Sequence, residues 1–83
     1  MDKILVEIFL PAENKKYDVY IPFTSKLYEI LDLLKNTITE LSEGYFTASE
    51  DAVLCDRKTG TIFNINMSPE ELGLINGSKL ILI

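Results

Sequence analysis

The sequence predicts an α+β fold in which a mixed sheet of four or five strands packs on one long helix. Three observations carry this expectation. Residues 3–10, "KILVEIFL", alternate with a period of two, the signature of a strand with two unlike faces. From Leu27 to Leu41 the apolar residues Leu27, Ile30, Leu31, Leu34, Ile38 and Leu41 recur at steps of three and four, which puts them on one stripe of a helix. The chain then closes with "SPEELGLINGSKLILI", where a helical turn and a tight turn lead into a last strand.

In the first strand Ile4, Val6, Ile8 and Leu10 share one side, and Leu5, Glu7 and Phe9 the other. "PAENKK" reads as a turn, after which "YDVYIPF" alternates again, with Tyr17, Val19, Ile21 and Phe23 on one side. Two strands joined by a short polar loop form an antiparallel hairpin. The long helix is expected over about residues 26–42, with Thr24 or Ser25 as N-cap and Gly44 as the left-handed residue that stops it. Residues 45–51 read as a loop. "AVLCD" and "TIFNI" are short strand candidates separated by "RKTG", whose Gly60 marks a turn. "SPEELG" punctuates a short helical turn near 69–72: Ser68 as cap, Pro69 first, Glu71 three residues after the cap and Gly73 at the end.

At 83 residues the chain is expected to form one domain, 1–83. Size scaling gives roughly 5,000 Å² of folded surface against roughly 13,600 Å² for the unfolded chain. Burying about 63% of the surface is enough to fold alone with a modest margin. A hydrophobic content of 47% with 25% charged residues argues against disorder. The net charge of −5 argues against nucleic acid as a partner, because binding it requires cations to neutralise phosphates. It also disfavours an anionic membrane surface and would steer in a partner protein with a basic patch. No apolar run reaches membrane-spanning length, so direct membrane insertion is not expected. Cys55 is the only cysteine and there is no histidine, which excludes an internal disulfide and fits a reducing, cytoplasmic location. "ILVEIFL" is interrupted by Glu7 and lacks a small-residue cleavage site, unlike a signal peptide.

The order hairpin, helix, short strands, helical turn, strand is that of a β-grasp, with the final strand parallel to the first in the middle of the sheet. Over its whole length the chain resembles ubiquitin-like proteins, most specifically in "SPEELGLINGSKLILI". Within that superfamily it looks most like the YukD-like proteins, small components associated with type VII secretion in Gram-positive bacteria, which share its length, acidic balance, "LCDRKTGTIF" pattern and strand-bound ending. The resemblance implies a non-catalytic protein-interaction module whose partner is a type VII secretion component. Ubiquitin-type modifiers and sulphur carriers present a flexible Gly-Gly tail to an activating enzyme; here Ile81, Leu82 and Ile83 stand in its place, so no conjugation is expected. Two rival readings fit the same residues: a truncated ubiquitin-like modifier or sulphur carrier, and an adaptor domain excised from a larger signalling protein.

No catalytic residue, cofactor site or metal site is expected. The chain has no histidine, no phosphate-cradling glycine loop and no cysteine pair. Cys55 has Arg57 and Lys58 nearby, but its default reading is an inert small hydrophobe in or beside the sheet. Glu40, Glu43, Glu50 and Asp51 lack the spacing of a calcium loop and read as a solvated acidic face. "RKTG" with Lys15 and Lys16 reads as solubilising turns. The sharper candidate is the outer face of the sheet. If Ile4, Val6 and Ile8 point to the helix, Leu5 and Phe9 point away; if Leu80 and Leu82 point in, Ile81 and Ile83 point away. Strand three is ambiguous by alternation: either Leu54 faces in with Val53 and Cys55 out, or the reverse. The resemblance favours the first choice, and with it a partner-binding patch of Leu5, Phe9, Cys55 and Ile81 rimmed by Glu7, Arg57 and Lys79. Scattered surface apolar residues are common, so such a patch has meaning only if it is contiguous. Nothing in the pattern fixes an oligomeric state.

Overall fold

The computed structural model describes residues 3–43 and 52–83. Its elements are β1 (Lys3–Leu10), β2 (Lys15–Pro22), α1 (Leu27–Leu41), β3 (Leu54–Asp56), α2 (Pro69–Leu72) and β4 (Lys79–Leu82). The sheet among the described residues has four strands in the order β2-β1-β4-β3. β1 and β4 are the central, parallel pair, and both outer strands run antiparallel to their neighbours. This is the ubiquitin-like β-grasp that the element order predicts.

Alternation in the strands and the three-four spacing in α1 meet in one core. Ile4, Val6, Ile8 and Leu10 of β1, Val19 and Ile21 of β2, Leu54 of β3 and Leu80 and Leu82 of β4 are buried together with Leu27, Ile30, Leu31, Leu34 and Ile38. Leu54 therefore faces the helix, which resolves the ambiguity in strand three. Leu41, expected on the buried stripe, is 51% exposed at the last residue of α1. The accessible surface is 5186 Å², close to the size expectation.

The N-cap of α1 differs from the expectation. Lys26 occupies it, with φ −68° and ψ 147° and no side-chain capping bond, so neither Thr24 nor Ser25 caps the helix. The first amides are instead satisfied by backbone: Leu27 N–H donates to the Met67 carbonyl at 2.9 Å and Tyr28 N–H to the Ile65 carbonyl at 3.1 Å. At the other end Ser42 is the C-cap and Glu43, at φ 56°, is left-handed; Gly44 lies outside the described residues, as does the expected loop 45–51. "TIFNI" is not a strand. Only Ile62 bridges to Cys55, because the chain turns at once to deliver the Ile65 and Met67 carbonyls to α1.

The helical turn α2 follows its punctuation. Ser68 Oγ accepts from Glu71 N–H at 3.2 Å, and Glu71 Oε1 accepts from Ser68 N–H at 3.0 Å, a complete capping box. Gly73 ends it at φ 76°. Glu71 also pairs with Lys26 at 3.2 Å, tying α2 to the start of α1. The hydrogen bond from the Ser68 backbone, then that from Lys26, hold the Glu71 carboxyl below its ordinary range. A carboxyl whose folded pKa is depressed stabilises the fold at neutral pH, and that contribution disappears as pH falls through the folded value. Ser68→Ala removes the buried cap hydroxyl and is expected to cost about 1 kcal/mol, read as a lower midpoint of urea unfolding at unchanged slope.

Candidate functional site

The outer sheet face is built by residues whose neighbours along each strand fill the core. β1 contributes Lys3, Leu5, Glu7 and Phe9, and the hairpin register sets Leu5 opposite Tyr20, Glu7 opposite Asp18 and Phe9 opposite Lys16. On the other side Phe9 aligns with Ile81 of β4, and Ile81 with Cys55 of β3. One row across the sheet therefore reads Lys16, Phe9, Ile81, Cys55, and the next reads Asp18, Glu7, Lys79. Three of the four expected contact residues, Leu5, Phe9 and Ile81, keep part of their surface in solvent.

Cys55 does not. It lies in the row but is only 3% exposed, so it cannot itself meet a partner. The segment carrying Ile62 pairs along β3: Asp56 N–H donates to the Thr61 carbonyl at 2.9 Å and Phe63 N–H to the Leu54 carbonyl at 3.0 Å. Ile62, 63% exposed, takes the outermost position instead. Tyr20, 64% exposed opposite Leu5, and Ile83, paired through both backbone groups with Val53, extend the apolar surface. Sequence reading missed Tyr20 and Ile62; the hairpin register would have supplied Tyr20, since a four-residue turn at 11–14 fixes what stands opposite Leu5.

Arg57 is more than part of a solubilising turn. Its guanidinium carbon lies 4.6 Å from the centre of the Phe9 ring, and its Nη1 donates to Glu7 Oε2 at 2.9 Å. Phe9 and Glu7 are two residues apart on the same strand face, so one cation satisfies both the ring and the carboxylate. The turn that positions it is held by Asp56: Thr59 Oγ1 donates to Asp56 Oδ2 at 3.0 Å and Gly60 N–H to the Asp56 carbonyl at 2.8 Å. At the opposite end Asn76 Oδ1 accepts from Leu5 N–H at 2.8 Å and fastens the "INGS" turn onto β1.

The charge of this face differs from that of the whole chain. Among the described residues this face carries Lys3, Lys16, Arg57 and Lys79 with two acids, Glu7 and Asp18, although the chain carries −5. The cations of this face thus outnumber its acids, opposite to the balance of the whole chain. Among the described residues no three His, Cys, Asp or Glu side chains sit together as metal ligands, and Glu50 and Asp51 lie outside them. No helix there is long and apolar enough to cross a membrane.

The fold is that of ubiquitin-like domains, and comparison with solved structures agrees. The ubiquitin-like domain of the type VII secretion protein EccD1 from Mycobacterium tuberculosis superimposes with a TM-score of 0.80 at 20% identity, covering 100% of this chain and 99% of that one. The EccD5 ubiquitin-like domain from Mycobacterium xenopi gives 0.82 at 21% identity, with 100% and 94% covered. A chain of the ESX-5 inner membrane complex gives 0.72 at 17% identity; all of this chain matches 21% of it. No family model matches the sequence, and no curated protein matches it.

Proposed function

We propose that the protein is a cytoplasmic, non-catalytic protein-interaction module of type VII secretion, similar to the YukD-like accessory proteins, which docks its outer sheet face on a larger secretion component. The observation that carries this reading is the face itself: Phe9 and Ile81 are neighbours in register, Glu7 and Lys79 line the next row with Arg57 paired to Glu7, and Leu5 with Tyr20 forms a second apolar row beyond them. An apolar centre that excludes water with charges beside it is the layout of a protein interface. The likeness to ubiquitin-like domains of EccD proteins supports the destination.

A photocrosslinking residue placed at Leu5, and in a second variant at Tyr28 on α1, tests the reading in the source cell. The Leu5 variant is expected to form an adduct with a secretion-complex protein and the Tyr28 variant to form none. Adducts only from Tyr28, or adducts from Leu5 only with proteins unrelated to secretion, would remove the proposal.

A further inference from the structure

The sheet ends at β2, which pairs only with β1, and no other described strand lies on its far side. The opposite edge is different, since the segment around Ile62 covers part of β3. Ladder parity decides which β2 groups face outward. Gly77 N–H donates to the Leu5 carbonyl at 2.8 Å and Glu7 N–H to the Ser78 carbonyl at 2.9 Å, so the odd residues of β1 spend their backbone groups on the β4 side. Ile4, Val6, Ile8 and Leu10 therefore bond β2, at their partners Ile21, Val19, Tyr17 and Lys15. Lys16, Asp18 and Tyr20 are left with N–H and C=O directed to the open edge, at the repeat of about 6.8 Å that another strand would match. Pro22 has no N–H to offer.

We propose that β2 pairs antiparallel with β2 of a second copy of this chain, about a two-fold axis at Tyr17, so that Lys16 faces the partner's Asp18 and Asp18 faces the partner's Lys16. Charge selects this occupant and register. An axis at Asp18 sets two carboxylates opposite each other, and one at Val19 sets Lys16 against a proline without a donor. Only the Tyr17 axis places both opposite-charge pairs at hydrogen-bonded positions, where direct cross-strand neighbours stabilise and like charges repel. The net charge of −5 on each copy opposes association. The centres of two molecules whose smallest extent is 23 Å are far outside the screening length of about 8 Å at physiological salt, whereas Lys16 and Asp18 are within it. The contact is a strand edge and not a broad patch, which makes the dimer weak and concentration-dependent. It is independent of the partner that docks on the outer face.

Sedimentation equilibrium at physiological ionic strength, with the chain raised to about 1 mM, is expected to show a mass rising from monomer toward dimer. Amide exchange supplies the geometric readout: Lys16 and Asp18 gain protection with concentration, Tyr20 does not because it stands opposite the partner's hairpin turn, and Tyr17, Val19 and Ile21 are protected throughout. Asp18→Lys is expected to weaken the dimer about tenfold or more, and Lys16→Asp combined with Asp18→Lys to restore it. A monomer at the highest concentration, a dimer indifferent to Asp18→Lys, a double variant that fails to re-pair while still folded, or protection appearing away from the Lys16 and Asp18 amides would each overturn the proposal. An extended peptide of another protein on this edge would show as the first of these.

Discussion

Leu34→Ala is expected to leave the protein unfolded or barely folded at 37 °C. Leu34 is 1% exposed at the centre of the buried stripe of α1, among the strand residues that face the helix. Truncating its side chain loses the transfer free energy of three carbons, a methine and two methyls, and opens a cavity that the sheet cannot collapse to fill, about 2–5 kcal/mol together. Domains of ordinary stability have about 5–15 kcal/mol in all, and an 83-residue chain stands at the lower end. The neighbouring Leu33 supplies the control. It has the same intrinsic helix propensity but is exposed, so Leu33→Ala is expected to change stability by no more than about 0.5 kcal/mol. Urea unfolding of the pair checks the account; equal losses at the two positions would mean that the stripe is not what holds the helix to the sheet.

What sequence reading found, and what it missed, divides along a physical line. β1, the core stripe of α1 and the capping box of α2 were legible because each follows from local periodicity or from caps within a few residues, and the parallel central pair because the element order is that of a β-grasp. The α1 N-cap was not legible, since the carbonyls that replace a Ser or Thr side chain come from Ile65 and Met67, some forty residues downstream. "TIFNI" has strand composition, yet Asn64 begins a turn, with its Oδ1 accepting from Asn66 N–H at 2.9 Å, and only one bridge survives. On the candidate face, alternation gave the sidedness of Leu5, Phe9 and Ile81. Cys55 is buried beside a segment that returns seven residues later to bridge it at Ile62, and Arg57 stacks on Phe9 from nearly fifty positions away; no periodicity encodes either.

Ile81→Glu is expected to abolish partner binding while leaving the fold in place. Ile81 stands between Phe9 and Cys55 on the central strand, half-buried on the face away from α1, so its side chain contributes to no part of the helix-facing core. A charge there costs the fold about 1 kcal/mol, within what it can lose. At the centre of an interface the same charge must be desolvated without a partner, which costs at least about 2 kcal/mol, or roughly thirtyfold in affinity. The most direct measurement is a binding isotherm of the captured partner against wild type, Ile81→Glu and Tyr28→Glu, with thermal unfolding recorded on the same samples. The account predicts that Ile81→Glu loses binding and keeps a cooperative transition, while Tyr28→Glu, on the helix side, binds as wild type. Wild-type binding by a folded Ile81→Glu, with loss in Tyr28→Glu, would contradict it and move the docking site to the helix.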